Sequence, residues 1–229
     1  PILEYCYQHR GESGIKALII YPMNALATDQ SKRIAELIHN SPELRGNVTA
    51  GMYVGGLERT PSRTMSEHGI ITDHETLLNS PPDILLTNYK MLDYLLVRPK
   101  DALLWKQNNP ETLKYIAVDE LHTFDGAQGT DLACLLRRLK RRLGIYDGYL
   151  CCIGTSATMG SKENNGAILN YAEEIFGEPF ERDAVITEDR LSADEFFAGQ
   201  STSFFALPSA DQTAQLVALA EAVSYTHLT

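Results

Sequence analysis

Absences narrow this chain before any motif does. Its 229 residues hold no run of about eighteen consecutive apolar residues, so no stretch reads as a membrane-spanning helix. The opening PILEYCYQHRGESG lacks the basic region, long apolar core and small-residue cleavage site of a secretory signal. The four cysteines, Cys6, Cys134, Cys151 and Cys152, include no C-x-x-C pair, which argues against a zinc site or a disulfide framework. They are expected to be buried thiols in a reducing compartment, and the protein to be cytoplasmic. Positive charge is in deficit: 20 Lys and Arg stand against 30 Asp and Glu, a net charge of -10. That excludes a uniformly basic polyanion binder but not a local basic groove. Internal repeats and low-complexity blocks are missing as well.

What is present is a chain 44% hydrophobic and 22% charged, enough for one sizeable core and an appendage. Apolar strand-like runs alternate with helical patterns. KALIIYP (16–22) precedes a helix over 28–40 with Thr28 as its N-cap. NVTAGMYVGG (47–56) and DILLTN (83–88) follow, the latter leading into the helical YKMLDYLLV (89–97). YIAVDE (115–120) precedes a helix over 129–143, and YLCCIGTSAT (149–158) precedes another over 166–177. Gly144 and Gly177 suit helix ends. Near-continuous apolar strands separated by helices predict an α/β fold: a parallel sheet covered on both faces, with ligands at the carboxyl ends of its strands. Residues 1–180 are expected to form this domain. Residues 181–229 are expected to be a partly irregular extension, with one more strand from PFERDAVITEDR and a final helix over 213–225.

In YIAVDELHTF, two acids and a histidine follow a buried strand directly, and carboxylates there are costly unless something uses them. Asp119 at a strand end can hold Mg²⁺ through water opposite a nucleotide's phosphates. Glu120 can orient and deprotonate an attacking water, the two jobs that carry most of phosphoryl-transfer catalysis. His122 can relay the nucleotide state to a neighbouring element. The bland alternative makes the acid pair a helix cap or the partner of basic side chains.

The companions decide between these readings. Ser156-Ala157-Thr158 follows the next strand, Gly55-Gly56 offers a backbone that phosphate can approach closely, and Thr87-Asn88 precedes a helix N-terminus suited to phosphate. In order and wording, PMNALATDQ, YVGG, TNYKMLD, DELH and SAT resemble motif Ia, the glycine doublet, motif Ib, motif II (Walker B) and motif III of the first RecA-like domain of superfamily 2 helicases. The wording is most similar to DEAD/DEAH-box helicases of the Lhr-like and DUF1998-associated kind, over roughly residues 1 to 180. The resemblance implies a RecA-like, P-loop NTPase-type sheet and an ATP-dependent helicase or translocase working on DNA or RNA beside a second RecA-like lobe. It makes Asp119 the Mg²⁺ site, Glu120 the catalytic base and His122 the link to motif III. Ser156, Ala157 and Thr158 then couple the ATP site to movement, and Pro22, Ala25, Gly55, Gly56, Thr87 and Asn88 line the nucleic-acid path, largely through backbone amides. Asn24 departs from the basic residue common at its position, which puts a phosphate contact there in doubt.

The family's phosphate-binding loop, G-x-x-x-x-G-K-[ST], does not occur. GESGIKA (11–17) has the wrong spacing and precedes a strand, and GTSATMGSK (154–162) has five residues between its glycines with the serine before the lysine. The chain reads as a fragment truncated at the N-terminus, expected to bind ATP poorly by itself. The rival class is a non-catalytic, helicase-derived binding or scaffold module. A metal hydrolase with Asp119, Glu120 and His122 as direct ligands has no familiar spacing behind it.

Three other features take structural readings. LLRRLKRRLG (135–144) is expected to be an amphipathic helix with Leu135, Leu136, Leu139 and Leu143 on one face and a solvated basic side. Trp105 is expected to pack on the core. The polar connection 56–82 is expected to be a mobile surface loop; the alternative is a family-specific insertion near the nucleic-acid path, with Arg59 and Arg63 as its phosphate contacts, and the remaining histidines are expected on the surface.

Overall fold

The apolar runs pair side by side. The computed structural model describes residues 1–56, 60–156, 165–186 and 210–225. Strands β1 (Ala17–Tyr21), β2 (Ala50–Tyr53), β3 (Ile84–Asn88), β4 (Tyr115–Val118) and β5 (Cys151–Gly154) form one parallel sheet in the order β2-β3-β1-β4-β5. Ile20 lies opposite both Thr87 and Val118, Tyr53 opposite Thr87, and Val118 opposite Gly154. The carboxyl ends are therefore level, and the segments leaving them share one rim.

Side chains alternate between two cores, one on each face. Leu18, Ile20, Leu85, Ile116 and Val118 pack with helices α4 (Tyr89–Val97), α5 (Gly126–Leu143) and α6 (Asn165–Phe176). Ala17, Tyr21, Ile84 and Leu86 pack with α1 (Ile2–Gln8) and α2 (Asn24–Asn40). Both faces are covered, as a parallel sheet requires. Trp105 is buried, and its indole N–H donates to Leu95 O at 3.1 Å. One compact unit spans Pro1–Ile186 and a second Thr187–Thr229, in which α7 (Ala210–Tyr225) is described.

Several expectations change. The second helix starts at Asn24, and Thr28 does not cap it: its hydroxyl donates back to Asn24 O at 3.0 Å inside the first turn. Residues 60–82 are packed against the sheet, as Ile71 bridges Gly51 along the outer edge of β2 and Leu77 of α3 (His74–Asn79) is fully buried. A Cβ at Gly51 would meet Leu77 at 2.3 Å, so the close approach needs glycine. Arg63 pairs with Asp73 at 3.6 Å, and Arg59 lies outside the described residues. Residues 181–186 form no strand. Only Cys6 is a fully buried thiol, pushed up to about 12 mainly by burial; Cys152 is half-buried, while Cys134 on the outer side of α5 and Cys151 on the outermost strand are exposed.

The basic helix keeps its expected solvated side at Arg137, Arg138, Arg141 and Arg142, and departs from it at buried Lys140. Its leucines are buried as predicted, each contributing about 1.5–3 kcal/mol. Its cations, however, clasp neighbouring elements. Arg137 donates to Glu174 O at 3.0 Å, Arg142 donates to Leu96 O, and Arg138 pairs with Asp93 at 2.6 Å. Lys140, 6% exposed, donates to Gly177 O at 3.0 Å and pairs with buried Glu178 at 2.6 Å. Cations thus satisfy carbonyls where α4 and α6 end, where helix backbones lack internal partners.

Candidate functional site

The acid loop is stitched to the strand beside it. Thr155, the first residue beyond β5, donates its amide to Val118 O at 3.0 Å and accepts the Leu121 amide on its carbonyl at 2.8 Å. Its hydroxyl accepts the Glu120 amide at 3.1 Å and donates to Asp119 Oδ1. Asp119 is held by one oxygen, while Oδ2 takes no hydrogen bond among the described residues. The Asp119 charge also adds to burial in holding the Tyr21 phenol up at about 12.

Glu120 adopts the left-handed conformation, φ 51° and ψ 48°, alone among the described non-glycine residues. Such a backbone costs a residue with a side chain about 1–2 kcal/mol, and persists only where its surroundings dictate it. Here they do. The Thr155 hydroxyl holds the Glu120 amide, the Thr123 hydroxyl donates to Glu120 O at 2.8 Å, and Leu121 and Phe124 are buried in the core. The turn carries the Glu120 carboxylate to His122, with Oε2 3.3 Å from Nδ1. Ser156 Oγ lies 3.0 Å from the same nitrogen. Two oxygens converging on Nδ1 favour the tautomer that carries its proton there. Asp119, Glu120, His122 and Ser156 thus form one connected set at the carboxyl end of β4 and β5. Ala157 and Thr158 lie outside the described residues.

The donor set suits a water-bound magnesium ion rather than a caged metal. Magnesium keeps most of its waters and takes one or two carboxylates, and Asp119 presents one unengaged oxygen. Among the described residues no three His, Cys, Asp or Glu side chains gather as direct ligands.

Further along the rim lies a groove of about 550 Å³, lined by Pro22, Asn24, Gly55, Asn88, Lys90 and Tyr94 among others. Asn24 builds it. Its Nδ2 donates to Gly55 O at 2.9 Å, and its Oδ1 accepts from Asn88 Nδ2 at 2.6 Å. Asn88 also caps α4, its Oδ1 accepting the Met91 amide at 2.7 Å. Three segments distant in sequence are fastened into one wall, and the N-termini of α2 and α4 sit beside it, where backbone N–H groups favour anions.

The expected path residues divide on this geometry. Pro22, Gly55 and Asn88 line the groove. Ala25 is exposed in the first turn of α2, and Gly56, at φ 75°, is exposed and lines a neighbouring cavity with Thr28 and Lys32. Thr87 is fully buried, its hydroxyl donating to Tyr53 O at 2.7 Å, so its side chain locks β2 to β3 and only its backbone is left for the expected path. Thr155 and the Asn24 clasp went unread, since no local signal marks bonds that join residues 31 to 64 positions apart.

Comparison with known proteins follows the geometry. The family model described as DEAD/DEAH box helicase matches residues 1–165. Druantia protein DruE of Escherichia coli (strain UMEA 4076-1) is 37% identical over 115 residues, covering 47% of this chain and 6% of that protein. The uncharacterized ATP-dependent helicase YprA of Bacillus subtilis (strain 168) is 30% identical over 166 residues, covering 72% of this chain and 19% of its own length. The chain thus spans a fifth or less of these relatives. Among solved structures, the DUF1998 helicase MrfA bound to DNA and AMPPNP matches with a TM-score of 0.55 and 30% identity, covering 78% of this chain and 21% of that one. The level strand ends, the acid loop and these matches agree: the chain has the RecA-like α/β fold and belongs to the DEAD/DEAH box helicase family.

Proposed function

We propose that this chain is part of an ATP-driven helicase or translocase motor, in which Mg-ATP hydrolysis at the acid loop moves a DNA or RNA strand held in the Asn24 groove. The observation that carries the reading is the connected set Asp119–Glu120–His122–Ser156, spanning β4 and β5 on the rim that also bears the groove. Asp119 would hold Mg²⁺ through water, and Glu120 would take the proton of the attacking water. Magnesium, when bound, neutralises charge on the phosphate oxygens. His122 and Ser156 would report the change at Glu120 to the segment after β5. Pro22, Gly55 and Asn88 would hold the polynucleotide, largely by backbone and amide groups.

The outer edge of β5 has no strand partner among the described residues, and Cys151 and Gly154 are exposed there. Strands of parallel sheets are ordinarily buried. This supports a further strand from a longer parent polypeptide, bringing a G-x-x-x-x-G-K-[ST] loop to the rim, with a second RecA-like lobe completing the site in the cytoplasm. The test is Mg²⁺-dependent phosphate release by that parent. Glu120→Gln is expected to slow it about 10²–10⁴-fold while ATP still binds, and an unchanged rate would remove Glu120 from the chemistry. The 229-residue chain by itself is expected to turn over negligibly; Mg²⁺-dependent hydrolysis by it, abolished by Glu120→Gln, would contradict the need for a further loop.

A further inference from the structure

On the rim of the groove, α4 leaves an aromatic ring in solvent and fixes it from behind. Tyr94 is 54% exposed, although the rest of that helix buries Leu92, Leu95 and Leu96. The Arg98 guanidinium lies over the ring, 4.7 Å from its centroid. Arg98 is itself paired by charge: its Nε is 3.0 Å from Asp101 Oδ2, an ion pair without hydrogen-bond alignment, and Asp101 is fully buried. The second oxygen of that carboxylate accepts the Tyr53 hydroxyl at 3.1 Å, from the strand that leads to Gly55.

A buried carboxylate is expensive and persists where it is well paired. Here its pairing immobilises an arginine whose other role is to cover one face of Tyr94. The ring remains largely open and lines the groove with Asn24, Asn88 and Lys90. Besides Tyr89 and Met91, the other groove walls offer backbone carbonyls, amides, one ammonium group and helix N-termini, suited to phosphate and sugar. Of the two rings in the lining, Tyr89 is half-buried and packs edge-on against Phe124, whereas Tyr94 offers a more open, flat and pre-positioned π surface that loses little freedom when something stacks on it.

We propose that Tyr94 is a stacking platform for an unstacked nucleobase of a single strand lying in the groove, with Arg98 and Asp101 as its positioning residues. The inference rests on the nucleic-acid reading above. It adds a contact that responds to bases, tolerates any sequence because every base has a π face, and complements grips that sense only the backbone.

The test titrates the 229-residue chain against a fluorescent oligo(dT) and against an abasic oligomer of equal length and charge. The unsubstituted chain is expected to bind the base-bearing oligomer more tightly. Tyr94→Ala and Tyr94→Leu are expected to weaken that complex about 5- to 100-fold and leave the abasic complex unchanged, while Tyr94→Phe retains the difference. Equal binding of oligo(dT) by Tyr94→Ala and the unsubstituted chain would overturn the platform while leaving the groove intact, as would equal losses for both oligomers. Failure to bind either oligomer would overturn the groove and the platform together.

Discussion

The Ser156 hydroxyl sits 3.0 Å from Nδ1 of His122, across the seam between β5 and β4. The contact joins the loop that carries the acids to the segment leaving the neighbouring strand, and Glu120 shares the same ring nitrogen at 3.3 Å. A change of charge or position at Glu120 therefore has a short path to residue 156.

If His122 and Ser156 act as one unit, their losses overlap instead of multiplying. In the proposed longer parent, His122→Ala and Ser156→Ala are each expected to lower nucleic-acid-stimulated phosphate release about 5- to 30-fold, with the double variant no worse than the weaker single one. A multiplicative double loss would show that the two side chains work independently.

Thr155 holds Asp119 and the amide of Glu120 with one hydroxyl. Thr155→Val keeps the shape and removes both bonds. Because the residue is exposed, urea unfolding of the 229-residue chain is expected to show a modest loss, about 1–2 kcal/mol. Thr155→Ser should fall within about 0.5 kcal/mol of the original chain. Equal stability of the valine and serine variants would remove the hydroxyl from the account.

Gly129 tests which of two effects wins inside α5. Helix propensity alone predicts that Gly129→Ala stabilises by about 1 kcal/mol. A Cβ there, however, meets Phe124 O at 2.5 Å, and a backbone carbonyl under the acid loop cannot swing aside as a side chain could. Overpacking of this kind costs about 1–3 kcal/mol, so the melting temperature is expected to fall by about 2–6 °C. A rise would mean that the acid loop yields easily.

How much of this was legible in the sequence follows from the range of each interaction. The strands and helices were, because Leu18, Ile20 and Ile116 or Leu132, Leu136 and Leu139 declare their periods locally. The helix 89–97 begins and ends as read, since Asn88 before it is a capping residue. The acids stood out because Asp119 and Glu120 interrupt an apolar run. Thr28 misled, as a threonine resembles a cap wherever it stands near a helix start, whereas the helix starts at Asn24 behind Met23 with no side-chain cap to mark it. At Thr87 the motif marks the segment, while strand alternation turns the side chain inward. Thr155 carries no local signal, and its importance comes from pairing with a strand more than thirty residues earlier.

Arg137, Arg138, Lys140 and Arg142 of α5 tether α4 and the end of α6, and none of the α5 cations lines the groove. Lys90 is the cation that lines the groove. A polynucleotide settling there would displace few condensed counterions, and each phosphate neutralised on a single strand contributes a slope of only about -0.7 to the logarithm of affinity against the logarithm of salt. Association by this route would survive ionic strengths that strip conventional basic binders from their nucleic acids.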